Sequence, residues 1–435
     1  MIESLDTLII QSIILALLNT FFTKLFNKTI ITASVAFWFG WILLLILTRQ
    51  FINDDLIKEF GSLELFYIDK FHKASFIGFF IASLFNFNYV RKVTSLKEIE
   101  KLHLYSRYIS NEITDKVLIY LLIVGLLLLL IKIKTFGLSL NFFTQARGLY
   151  NENNFDFLSW LGTHLSVIVS SLIIVQGIND GFGKFNTKKI FKIILYSSPL
   201  YLSSATRTFL IFPLLNYFSS FLLTRSYLFR FDNRKLINTK EIKKGIIILS
   251  LMLLIFSVIG FQRGGYGSSF DLYYLIASWP VSTSFALESW LVEALSSSGT
   301  NGLLTFNWFA NFLDRIGLLN YTVEKNSLIE IREYFISTGN SAAVIPRSML
   351  PELIFDFGKE AFFYVTILIT FISQHISIRF SGRNIIKHKF ATAFFIAMFM
   401  SIQTSIFSPG FVVSIFWIIL LNLYVKHKLK KNLFN

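Results

Sequence analysis

Residues 197–215, SSPLYLSSATRTFLIFPLL, are apolar enough to lie in a membrane, yet they hold one charged residue, Arg207. An arginine at the centre of a bilayer costs ~3 kcal/mol even on the most lenient insertion scales, so such a residue usually has a function. Arg207 is also the only charge in the longer apolar run 193–223. That run is too long for one straight span and short for two, because a helix rises ~1.5 Å per residue and the bilayer core is ~30 Å thick.

Basic segments on both sides of this run determine its path. Residues 179–189, NDGFGKFNTKK, and 224–245, TRSYLFRFDNRKLINTKEIKKG, are both rich in lysine or arginine. Loops rich in these residues face the cytoplasm, so the chain must cross the membrane an even number of times between them. The run therefore predicts a hairpin of two short helices, each with a proline (Pro199 and Pro213), and Arg207 at the outer tip.

The whole chain has the composition of a membrane protein. Of its 435 residues 54% are hydrophobic and 15% charged, with a mean hydropathy of +0.60, whereas a soluble domain has about 25% charged residues. Together with the hairpin, the other apolar runs predict an all-α polytopic membrane protein with about 11 transmembrane helices, the N-terminus outside and the C-terminus inside. These other runs lie at about 7–24, 30–48, 74–90, 117–134, 157–177, 245–260, 360–378, 390–408 and 411–425.

The distribution of charge supports this topology. The predicted inside segments hold 27 of the 41 lysines and arginines but only 7 of the 26 acidic residues. The positive-inside rule thus accounts for the net charge of +15, and no nucleic acid is needed to explain it. Membrane lipid is the partner that the basic segments predict. One of them, 95–113, has apolar residues on one face and predicts an interfacial amphipathic helix; these residues are Ile99, Leu102, Tyr105 and Ile109.

One long loop, 261–358, is predicted on the outside. It contains aromatic and partly amphipathic pieces, so we expect it to pack on the spans as a lid or cavity wall. The sequence therefore predicts three parts. They are an N-terminal bundle of about 8 spans that includes the hairpin (1–260), the outer loop (261–358), and C-terminal helices with a basic tail (359–435).

The chemistry available on the outside is that of arginine. The chain has no cysteine, no P-loop, no dinucleotide-binding glycine motif and no HExxH, and the long loop has no histidine, so neither a metal site nor a cofactor is predicted. A guanidinium binds phosphate oxygens with two parallel hydrogen bonds. The outer arginines therefore predict an anion-binding cavity; they include Arg147, Arg207, Arg263, Arg315 and Arg347. Glycines next to Arg263 allow backbone amides to approach an anion, whereas for Arg147, Arg315 and Arg347 an ordinary surface role is the alternative.

Four stretches give the chain a resemblance to the Wzy-type O-antigen polymerases, the oligosaccharide repeat-unit polymerases. FFTQARGLYNENNFDFLSWLG, residues 142–162, is similar to the family's outer arginine segment, with Arg147 followed by Gly162. LSSATRTFLIFPLL is similar to its small-residue–arginine turn between two spans. FQRGG resembles the entry to its large periplasmic loop, and MLPELIFDFGKEAFF resembles the exit from that loop.

The resemblance implies an enzyme of the bacterial inner membrane with a GT-C-like architecture and an active site that faces the periplasm. Such an enzyme transfers a growing glycan from undecaprenyl pyrophosphate to a new lipid-linked repeat unit, in the synthesis of lipopolysaccharide O-antigen or a similar polysaccharide. Its partners would be the lipid-linked oligosaccharides and a chain-length regulator protein. It would need no cofactor.

The resemblance also assigns roles to the candidate residues. Arg207 would stabilise the departing lipid pyrophosphate and take part in catalysis. The same pyrophosphate would be bound by Arg147, Arg207, Arg263, Arg315 and Arg347. The acceptor hydroxyl would need a general base, for which the candidates are His164, Asp271 and Asp356.

Two other functions fit the same general architecture. An O-antigen ligase would carry a histidine in the long outer loop, and loop 261–358 has none. A flippase or secondary transporter of lipid-linked oligosaccharides usually has two related halves and short loops. The chain shows no duplication and has one very long loop. The polymerase is therefore the favoured prediction.

Overall fold

The computed structural model describes six main segments of the chain, 4–52, 61–87, 96–136, 157–203, 208–232 and 349–402, with isolated residues at 239–247, 291, 295, 318 and 419–427. All regular secondary structure in these segments is helical. The helices are α1 (Leu5–Asn27), α2 (Ala33–Ile52), α3 (Ser62–Phe85), α4 (Leu96–Tyr108), α5 (Thr114–Phe136), α6 (Phe157–Phe182), α7 (Thr187–Ser203), α8 (Thr208–Asp232), α9 (Met349–Phe380) and α10 (Ile385–Phe399).

The described segments contain five helical stretches that are long and apolar enough to cross a membrane. They are Leu5–Asn27, Ala33–Gln50, Ile99–Lys134, Leu165–Phe182 and Met349–Phe380. The coarse prediction of a helical membrane protein is confirmed at this level. Each of these stretches overlaps an apolar run predicted from hydropathy, because length and apolar composition are both properties of the local sequence.

The chain divides into two compact units. Unit 1 comprises Met1–Val93, Ile276–Arg379 and Ala393–Phe411, and unit 2 comprises Thr94–Leu275, Phe380–Thr392 and Val412–Asn435. This division follows contacts between helices. The predicted division at residues 260 and 358 follows sidedness in the membrane, and it stays a prediction.

Buried polar side chains join the helices of unit 1. The first turn of α2 presents backbone N–H groups that have no partner within that helix. Side chains of α9 accept hydrogen bonds from two of these groups. Ser34 N–H donates to Gln374 Oε1 and Ala33 N–H donates to Ser377 Oγ, each at 3.1 Å. The amide of Gln374 also donates to Thr23 Oγ1 of α1 at 3.2 Å. In an apolar environment these bonds hold three helices in register, because an unpaired backbone group costs several kcal/mol there.

Helix α3 begins earlier than its hydropathy predicts. The apolar run suggested a span at 74–90, whereas the helix covers Ser62–Phe85. Its first turns contain charged residues that lower the hydropathy, but these residues have partners. The carboxylate of Asp69 accepts from Gln11 Nε2 and pairs with Lys73 Nζ, each at 2.7 Å. Helix α3 therefore continues through a stretch that hydropathy alone assigns to a loop.

In unit 2, α4 continues into α5 through one π-helical turn, Ile109–Ile113. The predicted helix at 95–113 is thus present, and Leu102 and Ile109 on its apolar face are buried against residues of α6. Its place at the membrane interface stays a prediction.

The four helices α5 to α8 alternate in direction. Gly177 packs on Tyr217 and Gly181 on Thr224, so α6 and α8 run the same way. Likewise, α5 and α7 run the same way: Asp115 pairs with Lys192 at 3.1 Å, and ten residues further along α5 Gly125 packs on Leu200. The Tyr201 hydroxyl lies 3.4 Å from the Ser166 carbonyl, so the end of α7 lies beside the start of α6 and the two run in opposite directions.

Helices α7 and α8 are therefore the antiparallel arms of a hairpin, joined by the link 204–207. The arms are longer than the apolar run 193–223, because the charged residues beyond each end of that run have partners. Lys189 donates to the Ser110 carbonyl, and Arg225 donates to the Gly183 carbonyl at 2.7 Å. Pro199 and Pro213 lie inside the arms.

Candidate functional site

The described segments include few of the predicted site residues. Asp356 is described with its side chain, and His164 is placed as backbone within α6. The remaining predicted site residues lie outside the described segments, and their roles stay predictions; they are Arg147, Arg207, Arg263, Asp271, Arg315 and Arg347.

Helix ends that flank the predicted arginines meet at one end of unit 2. Since α5 and α7 run one way and α6 and α8 the other, α5 and α7 end where α6 and α8 begin. The segment 137–156 joins α5 to α6, and the link 204–207 joins α7 to α8. The segments that carry Arg147 and Arg207 therefore attach to the same end, which we call the link end.

His164 belongs to the same end of unit 2. It precedes Ser166 by two residues, and Ser166 is the residue whose carbonyl meets Tyr201 near the end of α7. The fold thus brings the backbone position of a predicted general base close to the end of α7. Gly162, which follows Arg147 in the resemblance, is buried in the second turn of α6.

Asp356 lies in unit 1, in the short first part of α9. Its side chain is 1% exposed, and Glu352, one turn earlier on the same face, is 7% exposed. The helix breaks two residues later at Gly358, whose φ of 80° and ψ of 163° suit glycine. Beyond this break the helix continues as the apolar part of α9. The break lies within FDFGKEAFF, where the sequence predicts the exit from the long loop, and that exit stays a prediction.

Lys132 on α5 is a residue of the link end that sequence reasoning missed. Its side chain is 3% exposed, although it lies among leucines and isoleucines such as Leu130 and Ile131 that are exposed. Hydropathy treats it as an ordinary basic residue at one end of the predicted span 117–134. The spacing of Leu118, Leu121, Gly125 and Leu128, which continues to position 132, is the signal that could have found it.

A network centred on Asp180 occupies the opposite end of unit 2. Asp180 is 2% exposed. One carboxylate oxygen accepts from Gln176 Nε2 at 2.7 Å, and the other accepts from the backbone N–H of Asn186 at 2.9 Å and the Tyr217 hydroxyl at 2.7 Å. Three donors satisfy the carboxylate and join α6, α8 and the residue just before α7.

The π-helical turn extends this network. The Ser110 hydroxyl donates to Gln176 Oε1 at 2.7 Å, and Lys189 donates to the Ser110 carbonyl and to Asn111 Oδ1. A π-turn changes the backbone hydrogen-bonding pattern and presents carbonyl groups to other partners. The network therefore holds the start of α7 against α6 and the π-turn. Its role is to stabilise the packing of these helices.

Two buried histidines in the described segments have structural partners. His72 Nδ1 lies 2.9 Å from Ser12 Oγ, and aromatic rings including Trp38 and Trp41 surround its imidazole. A serine hydroxyl beside a histidine is the arrangement of a nucleophile and its base. Ser12 and His72 are both buried, however, so a substrate could not reach them. His388 Nδ1 accepts from the Gly382 backbone N–H at 3.0 Å.

Within the part of the chain that the structure describes, no group of three or more His, Cys, Asp or Glu residues could hold a metal ion. Comparison of the chain with protein-family models, with curated proteins and with solved structures found no match in any of the three.

Proposed function

We propose that the protein is a membrane glycosyltransferase that polymerises oligosaccharide repeat units carried on undecaprenyl pyrophosphate, to make O-antigen or a similar surface polysaccharide. The observation that carries the proposal is the hairpin of α7 and α8. Its link, 204–207, contains the lone arginine of an apolar run and attaches to the same end of unit 2 as segment 137–156 with Arg147. Two guanidinium groups at one end of apolar helices suit a pyrophosphate on a lipid chain.

The reaction requires one bond to form and one to break. A hydroxyl oxygen of the incoming repeat unit attacks the anomeric carbon of the growing glycan. The bond from that carbon to the pyrophosphate oxygen breaks, and the lipid pyrophosphate leaves with the bonding electrons. The hydroxyl proton passes to a general base, for which His164, Asp271 and Asp356 are the candidates. Arg207 stabilises the charge that develops on the leaving oxygen.

The proposal includes a topology of about 11 spans with a GT-C-like architecture, in the bacterial inner membrane with the link end facing the periplasm. Five described helical stretches support the membrane part, and the asymmetric charge of the loops supports the orientation. A chain-length regulator is the proposed protein partner.

The orientation predicts opposite labelling of two engineered cysteines. Ser297→Cys in the long loop should react with a membrane-impermeant thiol reagent in intact spheroplasts, whereas Asn238→Cys should react only after permeabilisation. The chain contains no cysteine, so the unmodified protein is the background control. Labelling of Asn238→Cys but not Ser297→Cys in intact spheroplasts would overturn the orientation.

Deletion of the gene tests the function. We expect the lipopolysaccharide of the deletion strain to migrate as core plus a single repeat unit, and the plasmid-borne gene to restore the ladder. A ligase or flippase mutant would instead leave bare core. A full ladder without the gene would contradict the proposal.

A further inference from the structure

We propose that unit 1 binds a water molecule between the side chains of Trp38 on α2 and His72 on α3. The inference is independent of the proposed function. Its support is a pair of buried ring nitrogens on neighbouring side chains, Trp38 Nε1 and His72 Nε2, neither of which has a hydrogen-bond partner among the described residues.

Ser12 on α1 determines which nitrogen of His72 carries the proton. The Ser12 hydroxyl donates its one proton to the Leu8 carbonyl at 2.7 Å, a bond to the preceding helical turn that buried serines often make. The Ser12 oxygen lies 2.9 Å from His72 Nδ1, and it accepts a hydrogen bond there because its own proton is already donated. His72 Nδ1 is therefore protonated, and Nε2 of the neutral imidazole is an acceptor.

Trp38 places a donor beside this acceptor. An indole has one N–H donor and no acceptor, and the ring centroids of Trp38 and His72 are 5.2 Å apart. The ring of Trp41 is equally close to His72, with centroids 5.1 Å apart, but its N–H donates to Ser401 Oγ at 3.1 Å. Of these two indoles, Trp38 is therefore the one whose N–H is available to a ligand.

The surroundings of the two nitrogens restrict the ligand to a small molecule that both donates and accepts. The rings of Phe37 and Phe71 also contact the imidazole, and they are buried like Trp38 and His72. A polar group without a partner is unfavourable in such an apolar interior, and ordered water is its usual partner there. A water molecule can accept from Trp38 N–H and donate to His72 Nε2.

The bound water completes a chain of hydrogen bonds that joins three helices. Trp38 N–H of α2 donates to the water, and the water donates to His72 Nε2 of α3. His72 Nδ1–H donates to the Ser12 hydroxyl of α1, which donates to the Leu8 carbonyl. Every bond in this chain points the same way, so each one polarises and strengthens the next. The ligand therefore ties α2 to the Ser12–His72 pair.

Solid-state NMR of the full-length protein in nanodiscs, with histidine labelled by ¹⁵N, tests the inference. His72 is assigned by the signals missing from His72→Gln. We expect its proton on Nδ1 and magnetisation transfer from water to its Nε2. His388 is the matched control, because it is equally buried but has protein partners at both nitrogens: Gly382 N–H donates to Nδ1 at 3.0 Å, and Nε2 lies 3.2 Å from the Ser220 carbonyl. His388 should carry its proton on Nε2 and receive no transfer from water.

Two variants identify the donor. Trp38→Phe removes the N–H without a partner and should abolish the transfer from water to His72 Nε2, whereas Trp41→Phe removes an N–H that has a protein acceptor and should retain it. Retention of the transfer in Trp38→Phe, or its equal loss in both variants, would overturn the inference. If Trp38→Phe does not fold, the unmodified protein decides alone: absence of transfer from water, or a proton on Nε2 of His72, would overturn the inference.

Discussion

Replacement of Arg207 with alanine should lower the yield of long polymer by about a hundredfold or more, the scale seen when a donor that stabilises a developing oxyanion is removed. Replacement with lysine should leave a small fraction of the activity. An ammonium carries the same charge as a guanidinium, but it cannot donate two parallel hydrogen bonds to phosphate oxygens. The difference between the two variants therefore measures the geometry of the contact as well as its charge.

The measurement is ladder length in a deletion strain that expresses each variant, normalised to the protein in the membrane. Arg107→Ala is the control, because Arg107 is an exposed arginine on α4; its ladder should be normal. If Arg207 served only to reach the headgroups, lysine would replace it without loss. Full activity of Arg207→Lys would therefore remove Arg207 from the site.

Replacement of Asp180 with alanine should cause a large loss of stability in unit 2. The carboxylate accepts hydrogen bonds from Gln176, Asn186 and Tyr217, and all three donors would lose their partner. Each buried donor without a partner costs about 1–3 kcal/mol, so the free energy of unfolding should fall by about 3 kcal/mol or more. Tyr217→Phe removes one donor and leaves the carboxylate with two, so its effect should be about 1 kcal/mol.

The stability losses of Asp180→Ala and Tyr217→Phe are measured by thermal unfolding of the purified protein in detergent, with the folded fraction monitored by size-exclusion chromatography. Lys192→Ala is the control, because the Lys192–Asp115 pair lies in the same unit but both side chains are more than a third exposed. Exposed ion pairs contribute little. The expected order of melting temperatures is Lys192→Ala, then Tyr217→Phe, then Asp180→Ala as the lowest. An Asp180→Ala protein as stable as the control would show that the network does not hold the helices.

Hydropathy located many of the helices but not their ends. The runs at 7–24 and 117–134 correspond to α1 and α5, whose bounds differ by a few residues. The apolar run at 74–90 predicted a start for α3 twelve residues too late. Hydropathy averages residue types and does not register the contacts of Asp69 with Gln11 and Lys73 that stabilise the first turns. The ends of a helix depend on partners for its polar groups, and those partners can come from another helix.

Some candidate residues, like some helix bounds, can be identified from the local sequence, and others cannot. The lone arginine of an apolar run is a local signal, and it selected Arg207 without any structure. The burial of Lys132 had a weaker signal, the spacing of Leu118, Leu121 and Leu128 that continues to position 132. The packing of this face of α5 includes the contact of Gly125 with Leu200, which are 75 positions apart in the chain.

The sequence by itself determined the class of this protein, a helical membrane protein, because apolar length acts on each segment separately. It also predicted two helices in the run 193–223, where the structure has α7 and α8. Tertiary structure alone decided which face of each helix is buried and which polar groups meet. The network around Asp180 joins Ser110 of the π-helical turn, Gln176 of α6, Asn186 just before α7 and Tyr217 of α8. Only the packed arrangement brings these residues within hydrogen-bond distance, because the packing of one helix face on another depends on pairs of residues distant in sequence.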